Sequence, residues 1–283
     1  MKKSIKKITK SSLVKLGLYN LMIDLMRFKT NRKLILKLLV EVKNLRKDNE
    51  KYYDDLLYNF YRFNPIQLDH DLFIEAASPI AFDSLDHIHP AGTIIDNTFC
   101  RSFVISCQKY FKKKNSYLDL GCAGGGLVRN FLEQKSFSIG VEGSNVSYLK
   151  GRAEWSRIPE HLFTGDITKP FNIKSLKNNT NFKFDVIGAW EVMEHLPEKL
   201  IPEFCKNVVN HLSDDGIFTA SVATHPLTQH ICLHEEDWWI ETFAKNGLKK
   251  ISHSEIFKNE DFPRGGPEDW PPNTGFYITC KKT

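Results

Sequence analysis

The run Tyr117-Leu118-Asp119-Leu120-Gly121-Cys122-Ala123-Gly124-Gly125-Gly126 constrains this chain more than any other stretch. A short apolar strand carries an acid near its end. Glycines follow that let the backbone turn sharply and approach a ligand, and then comes an apolar helical pattern of Leu127, Val128, Phe131 and Leu132. That order is the first turn of a doubly wound sheet. Asp119, two residues before Gly121, sets it apart from a dinucleotide site, since a carboxylate there repels a pyrophosphate.

Two more acids extend the pattern. Glu142 comes 21 residues after Gly121, at the end of the apolar stretch Phe137 to Val141, where a carboxylate can accept hydrogen bonds from two ribose hydroxyls. Asp166 follows a third strand, Leu162 to Thr164, and can take the exocyclic amine of an adenine. S-adenosylmethionine (SAM), with its ammonium and sulfonium, fits these acids where NAD does not. Over residues 95 to 283 the chain resembles the class I SAM-dependent methyltransferases. The resemblance implies that Gly121 and Gly125 are the glycines of the family's first motif, Asp119 its acid, Glu142 the ribose binder and Asp166 the adenine contact. Ala123 stands where a third glycine is usual.

The fold expected is α/β, a doubly wound, mostly parallel seven-stranded sheet of the Rossmann-like methyltransferase type with an N-terminal helical extension. The expected strands are 117–120, 137–141, 162–164, 184–189, 216–222, a segment near 249–257, and 275–281. Helices are expected at 99–111, 125–134, 145–155, 196–212 and 235–246. Ser213-Asp214-Asp215-Gly216 reads as a turn, and Asn246-Gly247 as a helix C-cap. Three domains are expected: a basic helical extension over 1–62, an irregular connector and lid over 63–98, and the SAM-dependent domain over 99–283.

Charge is uneven. Residues 1 to 50 hold 14 Lys and Arg against 4 Asp and Glu, a balance of +10 within a total of +5, so the remainder carries −5. A broad nucleic-acid-binding face on the main domain is thereby disfavoured. The apolar stripe of the basic extension calls for a homodimer or a peripheral membrane contact. No run of about 18 apolar residues exists, so no transmembrane segment is expected. Six cysteines without a C-x-x-C pair fit a reducing cytoplasm.

The chemistry is expected at Trp190-Glu191-Val192-Met193-Glu194-His195, the end of the fourth strand, where Trp190 lies beside the methyl donor and joins the cofactor-binding set. Glu191, Glu194 and His195, at i, i+3 and i+4, share one side of a helical turn. With His230 in the loop after the fifth strand they resemble the E-x-x-E-H plus histidine pattern of quinone-precursor O-methyltransferases and small-RNA 2′-O-methyltransferases. That resemblance implies a divalent cation, magnesium or manganese, on Glu191, Glu194, His195 and His230. Without a metal, His230 or His195 is the natural general base, and His225 and His234 compete for the role. Trp238, Trp239 and Trp270 read as core or rim. The expected activity is SAM-dependent methyl transfer to an oxygen of a small molecule or glycan unit. The alternatives are a metal-dependent RNA 2′-O-methyltransferase and a non-catalytic SAM-fold interaction protein.

Overall fold

The computed structural model describes residues 70–258, 261–263 and 274–283. These residues belong to one compact unit, Gln67–Thr283, the second of two into which the chain divides at Ile66. The expected helical extension, the start of the connector and Trp270 lie outside the described residues.

In chain order the second unit runs β1 (Leu72–Ala76), α1 (Leu85–Ile88), α2 (Ala91–Ile95), α3 (Arg101–Phe111), β2 (Tyr117–Leu120), α4 (Gly126–Glu133), β3 (Ser138–Glu142), α5 (Val146–Leu149), β4 (Leu162–Thr164), β5 (Phe171–Ser175) and β6 (Phe184–Trp190). It continues with α6 (Ile201–His211), β7 (Leu212–Ala223), α7 (Glu236–Lys245), β8 (Leu248–Ile251) and β9 (Gly275–Lys282). Seven strands form one sheet in the order β4-β3-β2-β6-β7-β9-β8, in which only β9 pairs antiparallel to its neighbours. The chain winds outward from β2 through β3 and β4, then returns to β6 on the other side. The β2–β6 boundary is therefore the switch point, where the carboxyl ends of the strands open a crevice.

Strand alternation builds two cores from one sheet. Tyr117, Val186 and Ile217 face Phe103, Leu127 and Phe131 of α3 and α4. Their neighbours Leu118, Ile187 and Phe218 face Phe204 and Val208 of α6 and Trp239 and Phe243 of α7. Trp239 is thus a core residue.

Several local expectations give way. The segment 63–98 contains a strand, because β1 pairs antiparallel with β5 in a separate two-stranded sheet. The helix expected over 145–155 stops after α5 and resumes as a 3-10 turn at Ala153–Ser156, since Gly151 and Ala153 both take positive φ. Strand β7 begins at Leu212, so Ser213-Gly216 is an irregularity inside the strand where its register against β6 slips. Beyond β8 the expected strand gives way to a 3-10 turn, His253–Glu255. Asn246 does cap α7, with Gly247 at φ +86°.

One glycine ties the segment before α3 to the ligand turn. A methyl group on Gly126 would collide with the carbonyl oxygen of Thr98, a backbone atom that cannot rotate away. Gly126→Ala should therefore destabilise the domain by about 1 to 3 kcal/mol. Thermal unfolding checks this, and a melting temperature equal to wild type would contradict it.

Candidate active site

The crevice is a cavity of about 520 Å³. Gly121, Ala123, Glu142 and Asp166 line one part of it, and Trp190, Glu191, His195 and Ile231 another. Helices α1 and α2 border it with Asp86, Thr93 and Ile95, and Asp83 just before α1 joins them. The segment expected to form a lid thus contributes part of the cavity wall.

The glycine turn works through backbone conformation. Gly121 has φ +80°, and a Cβ there would sit 2.5 Å from Cγ2 of Val192. Ala123, where a third glycine is usual, takes φ +44°, and its N–H donates to Glu142 Oε2 at 2.7 Å. The other Glu142 oxygen accepts from Ser144 N at 2.9 Å. Burial raises the Glu142 carboxyl above its usual value against these two N–H donors. Each oxygen keeps lone-pair capacity for a ligand. Asp166 Oδ1 accepts from the backbone N and the hydroxyl of Thr168, at 2.9 and 2.6 Å.

Asp119 is buried and is not among the cavity-lining residues. Its Oδ1 accepts from the Tyr117 hydroxyl at 2.9 Å, and the Tyr117 hydroxyl oxygen in turn accepts from Trp190 Nε1 at 3.0 Å. Asp119 therefore supports the wall from behind through Tyr117, and Trp190 is the member that reaches the cavity. Gly125, at φ +85°, shapes the turn without lining the cavity.

The E-x-x-E-H segment is not one α-helical turn. Glu191 closes β6 with φ +54°, Val192 bridges, and only Met193–His195 forms a 3-10 turn. The side chains consequently separate. Glu191 lines the cavity with Oε1 buried and unpartnered. Glu194 is fully buried, accepts Ala223 N through Oε1 at 3.2 Å, and takes Ile231 N and Cys232 N on its backbone carbonyl at 2.8 and 3.0 Å. Glu194 is thus the clamp for the loop after β7. Burial first and Glu191 second push its carboxyl up, against the opposing pull of His195.

Two histidines meet here with opposite electrostatics. His195 lines the cavity, and its Nδ1 lies 3.0 Å from Asp86 Oδ2. Burial pulls its imidazole down, but Asp86, Glu194 and Glu191 outweigh that and leave its pKa above the ordinary value. His230 packs edge-on at 4.9 Å between ring centroids, and its Nδ1 is 2.7 Å from the His225 carbonyl. Its pKa is lowered, chiefly by burial. His230 does not line the cavity, because the Glu194 clamp presents Ile231 there. His225 and His234 stand apart as well. His225 Nδ1 is 3.2 Å from the Thr274 carbonyl, and His234 pairs with Glu198 and stacks on Trp238.

Donor atoms of Glu194, His195 and His230 lie within 4.8 Å of one another, a group that Glu191 does not join. One carboxylate and two imidazoles match magnesium or manganese poorly, since these hard ions take mainly oxygen ligands. The expected four-residue ligand set is therefore brought together only in part, with Glu191, at φ +54°, outside the group of three. Sequence reasoning missed Asp86, Ser144 and Thr168. The Ser84-x-Asp86 helix start was the available signal for Asp86, whose N–H donates to Ser84 Oγ.

No helix among the described residues is long and apolar enough to cross a membrane. A search of curated proteins gives no significant match. Solved structures of similar fold include a SAM-dependent methyltransferase from Clostridium acetobutylicum, 14% identical over 70% of this chain and 95% of that one, with a TM-score of 0.47. Another is the 1,6-didemethyltoxoflavin-N1-methyltransferase of Burkholderia thailandensis, 16% identical over 70% and 84%, also at 0.47. A TehB-like SAM-dependent methyltransferase from Corynebacterium glutamicum is 16% identical over 64% and 88%, at 0.44. The family model for a methyltransferase domain matches residues 94–257, more than half of the sequence. With the seven-stranded, mostly parallel sheet, this match makes the chain a member of the methyltransferase domain family, with the class I SAM-dependent architecture.

Proposed function

We propose that this methyltransferase moves the methyl group of SAM to a hydroxyl oxygen of a small molecule or glycan unit, with His195 as the general base. The observation that supports it is that His195 lines the same crevice as Glu142 and Asp166, so one space holds a base beside the wall read as nucleoside-binding. Its volume falls within the roughly 300 to 1,000 Å³ usual for small-molecule sites.

SAM supplies an electrophilic methyl on a sulfonium, and attack by the acceptor oxygen sends the C–S bond electrons to sulfur. The chain does the remainder. Glu142 and Asp166 hold the nucleoside, Trp190 and the Gly121 turn form the wall behind it, and Glu191 Oε1 offers an unpaired acceptor to a substrate hydroxyl. His195 takes the proton that the oxygen loses. Its raised pKa brings the base toward neutral pH, where general-base catalysis is most effective.

Among the described residues, six carboxylates and one lysine line the cavity. Such walls repel phosphate, which favours a neutral or cationic small acceptor over RNA. The six free cysteines fit our placement of the reaction in the cytoplasm.

Incubation with methyl-labelled SAM and a small-molecule extract should place the label in an acid- and base-stable methyl ether. Label on an amine nitrogen would overturn the oxygen assignment. Because the donor set suits magnesium and manganese poorly, dialysis against a chelator should leave turnover unchanged, and restoration by either ion would refute the metal-free reading.

A further inference from the structure

Residues 77–98 form a strap between β1 and α3, and both of its ends are fastened to the turns that make the cofactor wall. At the first end, Ala77 N donates to the Pro170 carbonyl at 2.9 Å, Asp166 N donates to the Ser78 carbonyl at 3.1 Å, and Ala81 N donates to the Gly143 carbonyl at 2.8 Å. Gly143 directly follows Glu142, so this end grips the residues read as the adenine and ribose contacts. At the other end, Arg152 Nη2 donates to the Asp96 carbonyl at 2.6 Å, and Asn97 Nδ2 donates to Glu154 Oε1 at 3.2 Å. Glu154 is itself buried and paired with Arg129 and Arg157. The Thr98 carbonyl lies where a side chain on Gly126 would be.

The middle of the strap carries Asp86 to His195. Asp86 Oδ2 and His195 Nδ1 are in ion-pair contact at 3.0 Å, yet the ring nitrogen does not make an aligned hydrogen bond. A close but misaligned partner is what catalytic pairs often show before substrate binds. Both residues line the cavity.

We propose that Asp86 is a positioning residue for His195, and that the strap ties the orientation of this base to the cofactor wall. The inference rests on the reading of His195 as the base. An acidic partner on Nδ1 fixes which ring nitrogen faces the acceptor, leaving Nε2 to receive its proton. Because the strap ends on the turns of Glu142, Asp166 and Gly126, a cofactor that orders those turns also orders Asp86. Base and methyl donor are thereby aligned together.

The test uses the full chain and the extract fraction that wild type labels from methyl-labelled SAM. Asp86→Ala should lower kcat by about 10²-fold, the scale of a misplaced reacting group, with S-adenosylhomocysteine affinity unchanged. Asp86→Glu should recover most of the loss, and Asp86→Ala combined with His195→Ala should be no slower than His195→Ala alone. Histidine-ring NMR gives a readout that needs no acceptor. Asp86→Ala should move the His195 ring signals, assigned by their disappearance in His195→Ala, and leave those of His161 and His211 in place. Unmoved His195 signals, an additive double variant, or full activity of Asp86→Ala beside an inactive His195→Ala would overturn the positioning role. Full activity of His195→Ala would instead refute the base assignment and the positioning role of Asp86 with it.

Discussion

Replacing His195 by alanine should slow methyl transfer by about 10²- to 10⁴-fold, the range that a positioned general base contributes. His195 alone among the candidate histidines lines the cavity, while His230, His225 and His234 are held by loop carbonyls or by Glu198. The alanine variant should bind S-adenosylhomocysteine as wild type does, because the loss lies in chemistry and not in the cofactor wall. A pH profile sharpens the test. The imidazole must be neutral to accept a proton, and the carboxylates of Asp86, Glu194 and Glu191 hold its pKa above the usual 6.5. The wild-type rate should therefore fall as pH drops through that raised value and level off above it, and His195→Ala should lose that limb. An alanine variant that keeps both the rate and the limb would remove His195 from the reaction.

Glu142→Ala should weaken SAM binding by roughly 1.5 to 3 kcal/mol, since hydrogen bonds to a charged carboxylate are the stronger kind. The protein partners of this side chain are both donors, the N–H groups of Ala123 and Ser144. A glutamine there would have to turn its own NH2 toward one of them or toward the ribose, so Glu142→Gln should also lose affinity. Raised by burial, the Glu142 carboxyl also makes binding sensitive to acid, with affinity declining as the group protonates. Equal Kd values for wild type and both variants would remove Glu142 from the cofactor wall. Thermal unfolding without ligand separates lost binding from a collapsed glycine turn.

The parts legible in the sequence were those encoded locally. Tyr117 to Gly126 carries its own strand, turn and helix start, and the next strands are short apolar runs that end near Glu142, Asp166 and Glu191. What escaped depends on distant pairing or on single backbone angles. Strand β1 exists because Leu72–Ala76 finds Phe171–Ser175, a partner far away in the chain. Asp86 meets His195 only after the strap is fastened to β3 and to the Asp166 turn. Spacing within E-x-x-E-H assumed a helical turn, and the left-handed φ of Glu191, an uncommon state for a residue with a side chain, undid it. The order of the histidines could not be read either, because the Glu194 clamp, rather than sequence position, decides that Ile231 and not His230 reaches the cavity.

We propose that Glu142, Asp166, Trp190 and the Gly121 turn make a SAM site. Titration calorimetry of the full chain with S-adenosylhomocysteine, SAM and NAD tests it most directly. Saturable binding of the first two at one site per chain, with no heat from NAD, is the result expected. A folded protein that binds NAD, or that binds none of the three, would rule out a SAM site at these residues.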